Sequence, residues 1–149
     1  MQQKNWFAAY VRHYSLYAAW TIALIAMFGS LYFSQVQGLI PCTLCWYQRI
    51  VMYPLVIILA IGIFKNDHGI KDYAAPLSVI GIAVAFYQVL LQQGWVKDIG
   101  VCSATANCAV KQAVLFNSIT IPMLSLLAFI GITFFLIINK HSEEIISGK

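Results

Sequence analysis

A chain of 149 residues that is 61% hydrophobic and only 9% charged is not a soluble domain, since such domains carry about 25% charged residues. Its mean hydropathy of +0.79 makes lipid the solvent for most of its surface. The net charge of +4 is scattered along the chain rather than clustered, so it does not describe a nucleic-acid face.

Residues 1–13 mix Lys4, Arg12 and His13 with Trp6, Phe7, Tyr10 and Val11, which suits a segment lying at a membrane surface. No charged residue occurs from Tyr14 to Gln48. The first part of that run, about 15–33, is long enough for a spanning helix of roughly 20 residues. A cleaved leader is disfavoured, because the apolar stretch exceeds the usual core of about 7–15 residues and no clear A-x-A site follows. Residues 34–43 then form a short polar loop, with Pro41 placed to open the next helix.

The second span requires a length argument. Ile50 to Phe64 is apolar but only 15 residues long, about 22 Å at 1.5 Å per residue, against a hydrocarbon core of about 30 Å. The helix must therefore reach back through Arg49 toward Cys45, giving a span over about 44–64 with Pro54 inside it. Arg49 then stands at a membrane face, from which its long stem can carry the charge outward. A charged turn at 65–72 leads to a third span over about 74–92, with Pro76 suited to a first helical turn. The longest connection, 93–114, holds Trp95, Lys97, Asp98, Cys102, Cys108 and Lys111. A fourth span follows at about 115–138, and 140–149 is a polar tail. The expected fold is a single all-α domain, a bundle of four transmembrane helices.

Four crossings put both termini and the 65–72 turn on one side. That side carries Lys4, Arg12, Lys65, Lys71, Lys140 and Lys149, whereas the other carries Lys97 and Lys111. The side richer in Lys and Arg stays cytoplasmic, so both termini are expected there and loops 34–43 and 93–114 face outward. All four cysteines lie on that outer side, where disulfides are permitted. The three histidines fall on the cytoplasmic side and no Asp or Glu lies within a span, which disfavours a proton-relay transporter.

In the stretch Pro41-Cys42-Thr43-Leu44-Cys45-Trp46-Tyr47-Gln48-Arg49, a helix start places Cys42, Cys45 and Arg49 along one face. The positive end of the helix and a guanidinium both favour a thiolate. A ring closed over two intervening residues contributes little to stability, and such pairs are commonly redox-active. Arg49 alone also reads as a membrane-interface anchor. Cys102 and Cys108 read as a structural disulfide closing a small loop, or as the second pair of a relay, since thiol–disulfide exchange can pass two electrons between neighbouring pairs. A four-cysteine zinc site built from both loops is the alternative, while haem attachment fails because Trp46 stands where a histidine is needed. A relay ending at the lipid boundary calls for a lipid-soluble two-electron acceptor. A quinone meets that need, with Arg49 able to stabilise its reduced oxygens.

This nine-residue stretch, the four spans and the Cys102/Cys108 loop together resemble the DsbB/BdbC family of quinone-dependent thiol oxidases over essentially the whole chain. The short loop between Cys102 and Cys108 and the Ile121-Pro122 opening of the last span are most similar to its Gram-positive BdbC branch. The resemblance implies an enzyme of the bacterial cell membrane that reoxidises a thioredoxin-fold partner of DsbA or BdbD type, supporting disulfide formation in exported proteins. It implies that Cys102 forms the mixed disulfide with the partner, that Cys108 exchanges with Cys42, and that Cys45 is the thiolate beside the quinone. Arg49 matches the arginine associated with quinone use; menaquinone or ubiquinone is the implied cofactor, and no metal is implied. A related quinone-linked reductase serving another thiol donor, and a non-enzymatic membrane protein with structural disulfides or zinc, are the alternatives.

Overall fold

Four apolar runs become four helices: α1 (Gln2–Gln35), α2 (Thr43–Lys65), α3 (Ile70–Gln92) and α4 (Ile121–Ser147). The computed structural model describes residues 2–67, 69–102, 108, 114–115 and 119–147. Each helix holds a stretch long and apolar enough to cross a membrane: His13–Gln35, Thr43–Lys65, Ile70–Gln92 and Ile121–Lys140. Before α4, a two-residue antiparallel pairing joins β1 (Val114–Leu115) to β2 (Ile119–Thr120), with Val114 opposite Thr120 and Leu115 opposite Ile119.

Helix bounds depart from the hydropathy boundaries at four places, because lipid thickness limits apolar composition while backbone hydrogen bonding limits the helix. The surface segment expected at 1–13 is continuous with α1 from Gln2. α3 begins at Ile70, so Pro76 lies inside the helix rather than in its first turn. The carbonyl left without its i+4 donor is that of Asp72, close to the helix end, where the loss is best tolerated. α4 begins at Ile121 rather than near Leu115, because Pro122 has no N–H to give a preceding turn and is best accommodated where a helix starts. At its far end α4 runs through the expected tail to Ser147. The second helix follows the length argument: α2 spans 23 residues, about 35 Å, and starts two residues before Cys45.

The helices pack in a ring, α1 against α2, α2 against α3, α3 against α4 and α4 back against α1. Apolar residues cover all sides of each helix, so polarity alone does not separate inside from outside. Ile25, Phe28, Ile57, Phe64, Leu127 and Ile137 point outward toward where lipid would lie, while the interior mixes small residues such as Ala19, Ala74 and Ala85 with larger ones. On α3 the buried positions are Ile70, Ala74, Ser78, Gly81, Ala85, Gln88 and Leu91, spaced three or four apart. Gly81 receives the ring of Phe129 from α4 so closely that a methyl group there would overlap it. Phe129 is fully buried, as are Leu55, Leu59, Ile132 and Ala19 around it. Among the polar contacts that cross between helices, Thr133 Oγ1 donates to Ser78 Oγ at 2.9 Å, and Asn139 Nδ2 to Ser15 Oγ at 3.3 Å. One end of the bundle brings together the C-termini of α1 and α3 and the N-termini of α2 and α4, and the cysteines lie there.

Candidate redox site

Cys42 is the N-cap of α2. Its backbone is extended (φ −71°, ψ 169°), and its sulfur accepts the Cys45 N–H at 3.4 Å, in the place usually taken by a serine or asparagine oxygen. The helix thus begins on one cysteine and carries the second in its first turn. Both are free thiols, with their sulfurs 2.8 Å apart. Cys42 is buried, and its thiol is raised above the ordinary thiol range, first by its hydrogen bond with Cys45 and then by burial.

The second pair meets the first. Cys102 and Cys108 form a disulfide with their Cα atoms 5.9 Å apart, and Cys108, 1% exposed, is buried in one cluster with Cys42, Leu44 and Leu91. Cys45, Cys102, Val84 and Tyr87 pack against this cluster. Within the disulfide the two sulfurs are unequal: Cys108 faces inward, while Cys102 is only partly buried.

Arg49, one turn beyond Cys45, is not simply an outward-reaching cation. Its Nε donates to Ser30 Oγ and its Nη2 to the Ser30 carbonyl, both at 2.9 Å, and the guanidinium lies 5.5 Å from the centre of the Trp46 ring. This geometry is compatible with an interface anchor and with a ligand contact alike, because α1 supplies a neutral fork that holds the charge half-buried.

Cys42, Cys45, Arg49 and Cys108 line one pocket that is partly open to the outside. Ala26, Phe33, Leu39, Met52 and Phe129 give it apolar walls, and Ser30, Gln48, Gln88, Thr120 and Tyr53 add polar groups. The Tyr53 hydroxyl is buried and has no hydrogen-bond partner among the described residues.

Two residues of this site are not evident from counting charges. Gln88 of α3, 2% exposed, donates its Nε2 to Cys42 Sγ at 3.1 Å and to Cys45 Sγ at 3.3 Å. Gln48 of α2, also buried, donates to Gln88 Oε1 at 2.7 Å. Their signal in the sequence is that a glutamine inside a membrane span is costly unless it is bonded to something, which marks it as a candidate functional residue.

Comparison with known proteins identifies a family. Residues 12–139 match the family described as disulfide bond formation protein DsbB. The chain is 46% identical over 131 residues to the disulfide bond formation protein C of Bacillus subtilis strain 168, covering 87% of this chain and 94% of that protein. It is 43% identical over 134 residues to a probable disulfide formation protein C 2 of Bacillus anthracis, covering 90% and 96%. A probable disulfide formation protein of Coxiella burnetii is 43% identical over 137 residues, covering 90% and 92%. No solved structure matches the chain significantly.

Proposed function

Because this chain belongs to the DsbB family and is a multi-pass membrane protein of disulfide formation, we propose that it oxidises a thioredoxin-fold thiol donor of DsbA or BdbD type and delivers the electrons to a membrane quinone. The observation that carries this reading is the meeting of the two cysteine pairs: buried Cys108 packs with Cys42, and Cys102 is left as the more accessible sulfur of its disulfide. A donor thiolate attacks Cys102 Sγ, the Cys102–Cys108 bond breaks, and Cys108 leaves as thiolate. Cys108 then attacks Cys42 of an oxidised Cys42–Cys45 pair, and Cys45 leaves as thiolate. A second donor thiol releases the partner as a disulfide and frees Cys102, which closes again on Cys108 and returns Cys42 to a thiol. Two electrons have then moved from the donor to Cys42 and Cys45. Cys42 and Cys45 would then both be thiols beside a re-formed Cys102–Cys108 disulfide.

The cavity residues fit a quinone. Its walls are largely apolar, Arg49 brings a fixed positive charge, and Tyr53, whose hydroxyl has no partner among the described residues, adds a hydrogen-bond donor. Arg49 and Tyr53 would hold the carbonyl oxygens, and Cys45 would be the sulfur beside the ring. A quinone bound there supplies a two-electron, two-proton sink that regenerates the Cys42–Cys45 disulfide. The excess of Lys and Arg at the opposite end of the bundle supports an extracytoplasmic position for the cysteine end in a bacterial cell membrane. The test is oxygen-free oxidation of a reduced thioredoxin-fold donor by purified protein. Turnover is expected only with added quinone and is abolished in the Cys42→Ser, Cys45→Ser variant; full activity of that variant would overturn the reading.

A further inference from the structure

We propose that Gln88 is a positioning residue for the inner cysteine pair, and that Gln48 sets the direction in which the Gln88 amide points. The inference rests on the reading of Cys42 and Cys45 as a redox pair and adds the group that holds their sulfurs.

A glutamine amide has two N–H donors at one end and an acceptor oxygen at the other. Here the Nε2 group is shared between the two sulfurs, 3.1 Å from Cys42 Sγ and 3.3 Å from Cys45 Sγ, and the oxygen accepts from Gln48 at 2.7 Å. With Gln48 donating as it does here, its bond disfavours the flipped amide. Were Gln88 reversed, its carbonyl oxygen would face two sulfur lone-pair shells and its N–H groups would face the N–H of Gln48. Both glutamines are buried, so water cannot compensate a misdirected group. They come from different helices, and their bond also ties α3 to the start of α2 at the depth of the sulfurs.

Such a bridge matters most when one sulfur is charged. Hydrogen bonds to charged groups are about twice as strong as those between neutral ones, so a shared donor favours whichever cysteine leaves as thiolate and keeps it beside its partner. Few other groups compete for this role. Around the sulfurs the charged or titratable side chains are Arg49 on the same helix and Tyr87 on α3, with Tyr53 deeper in the cavity. Cys108 is disulfide-bonded, and the described cavity residues of α1, β2 and α4 carry no titratable group.

The test measures alkylation rate against pH for the full-length protein in detergent with the Cys102–Cys108 disulfide intact, so that only Cys42 and Cys45 react. Gln88→Met is expected to slow alkylation about tenfold at neutral pH and to move the profile up by about one pH unit. Gln48→Met is expected to act in the same direction, about threefold, and to add nothing in the Gln88→Met background, because it works through the Gln88 amide. Should Gln88→Met fail to fold, Gln88→Asn replaces it, since the shorter chain withdraws the amide from both sulfurs. The proposal is overturned if the Gln88 variant overlays the wild type, or if Gln48→Met has the same effect in both backgrounds. Either result leaves the redox reading standing, which falls only if the double cysteine variant retains turnover.

Discussion

Replacing Arg49 by lysine separates charge from geometry at the proposed quinone site. The guanidinium commits two of its five N–H groups to Ser30, through Nε and Nη2 at 2.9 Å each, and lies 5.5 Å from the Trp46 ring centre. Its remaining N–H groups are thereby aimed rather than free to rotate. A lysine keeps the charge but has one nitrogen, which cannot satisfy both Ser30 acceptors and a ligand oxygen together. A hydrogen bond to a charged group contributes about 1.5–3 kcal/mol, and the half-exposure of Arg49 argues for the lower end. At about 1.4 kcal/mol per tenfold, Arg49→Lys should weaken quinone binding about tenfold, and Arg49→Met, which loses charge as well, about a hundredfold. Ser30→Ala keeps the carbonyl anchor and should cost only two- to fivefold. The assay is quenching of tryptophan fluorescence by a short-chain quinone titrated into detergent-purified protein, with circular dichroism to confirm the helices. Wild-type affinity in Arg49→Met would refute the assignment of Arg49 to the ligand.

Other expectations follow from particular contacts. Tyr53→Phe removes only the hydroxyl that has no partner among the described residues, so stability should hold or rise slightly while quinone affinity falls several-fold in the same titration; unchanged affinity would remove Tyr53 from the site. Gly81→Ala places a methyl against the buried Phe129 ring and should destabilise the bundle by about 1–3 kcal/mol in detergent unfolding, with much of the loss recovered by Phe129→Leu. An additive double variant would mean that the two residues do not share this contact. Labelling of reduced protein in intact cells by a membrane-impermeant thiol reagent should reach Cys102, and its failure to do so would reverse the proposed sidedness.

Much of the fold was legible because a membrane span announces itself as a long uncharged run. The shortfall of Ile50–Phe64 against bilayer thickness was the most productive feature, since it carried the second span back to about residue 44, close to the observed start of α2 at Thr43. Boundaries set by something other than lipid were less visible. α1 extends back to Gln2 and α4 on to Ser147 because helical hydrogen bonding continues past the apolar stretch, and α3 absorbs Pro76 because the orphaned carbonyl lies near its end. The candidate site was legible in its sulfurs and Arg49, whose spacing is local. Gln48 and Gln88 were not, since charge counting passes over amides and their partnership joins residues 40 apart in sequence. Nor does spacing reveal that the 93–114 loop folds Cys108 against Cys42 while Cys102 remains partly open, which depends on packing across helix ends.

The central claim is that electrons pass from the Cys102–Cys108 pair to Cys42 and Cys45 by direct exchange. A donor lacking its second cysteine cannot release itself from Cys102, so the exchange stalls before Cys42 is freed. Incubation of that donor, reduced, with protein whose two cysteine pairs are both oxidised should then trap a covalent link between the two loops, with Cys45 left as a thiolate. Peptide mapping by mass spectrometry under non-reducing conditions identifies it. The account predicts a Cys42–Cys108 disulfide, with the donor captured on Cys102. Donor captured on Cys42 directly, with Cys102–Cys108 untouched, would contradict it.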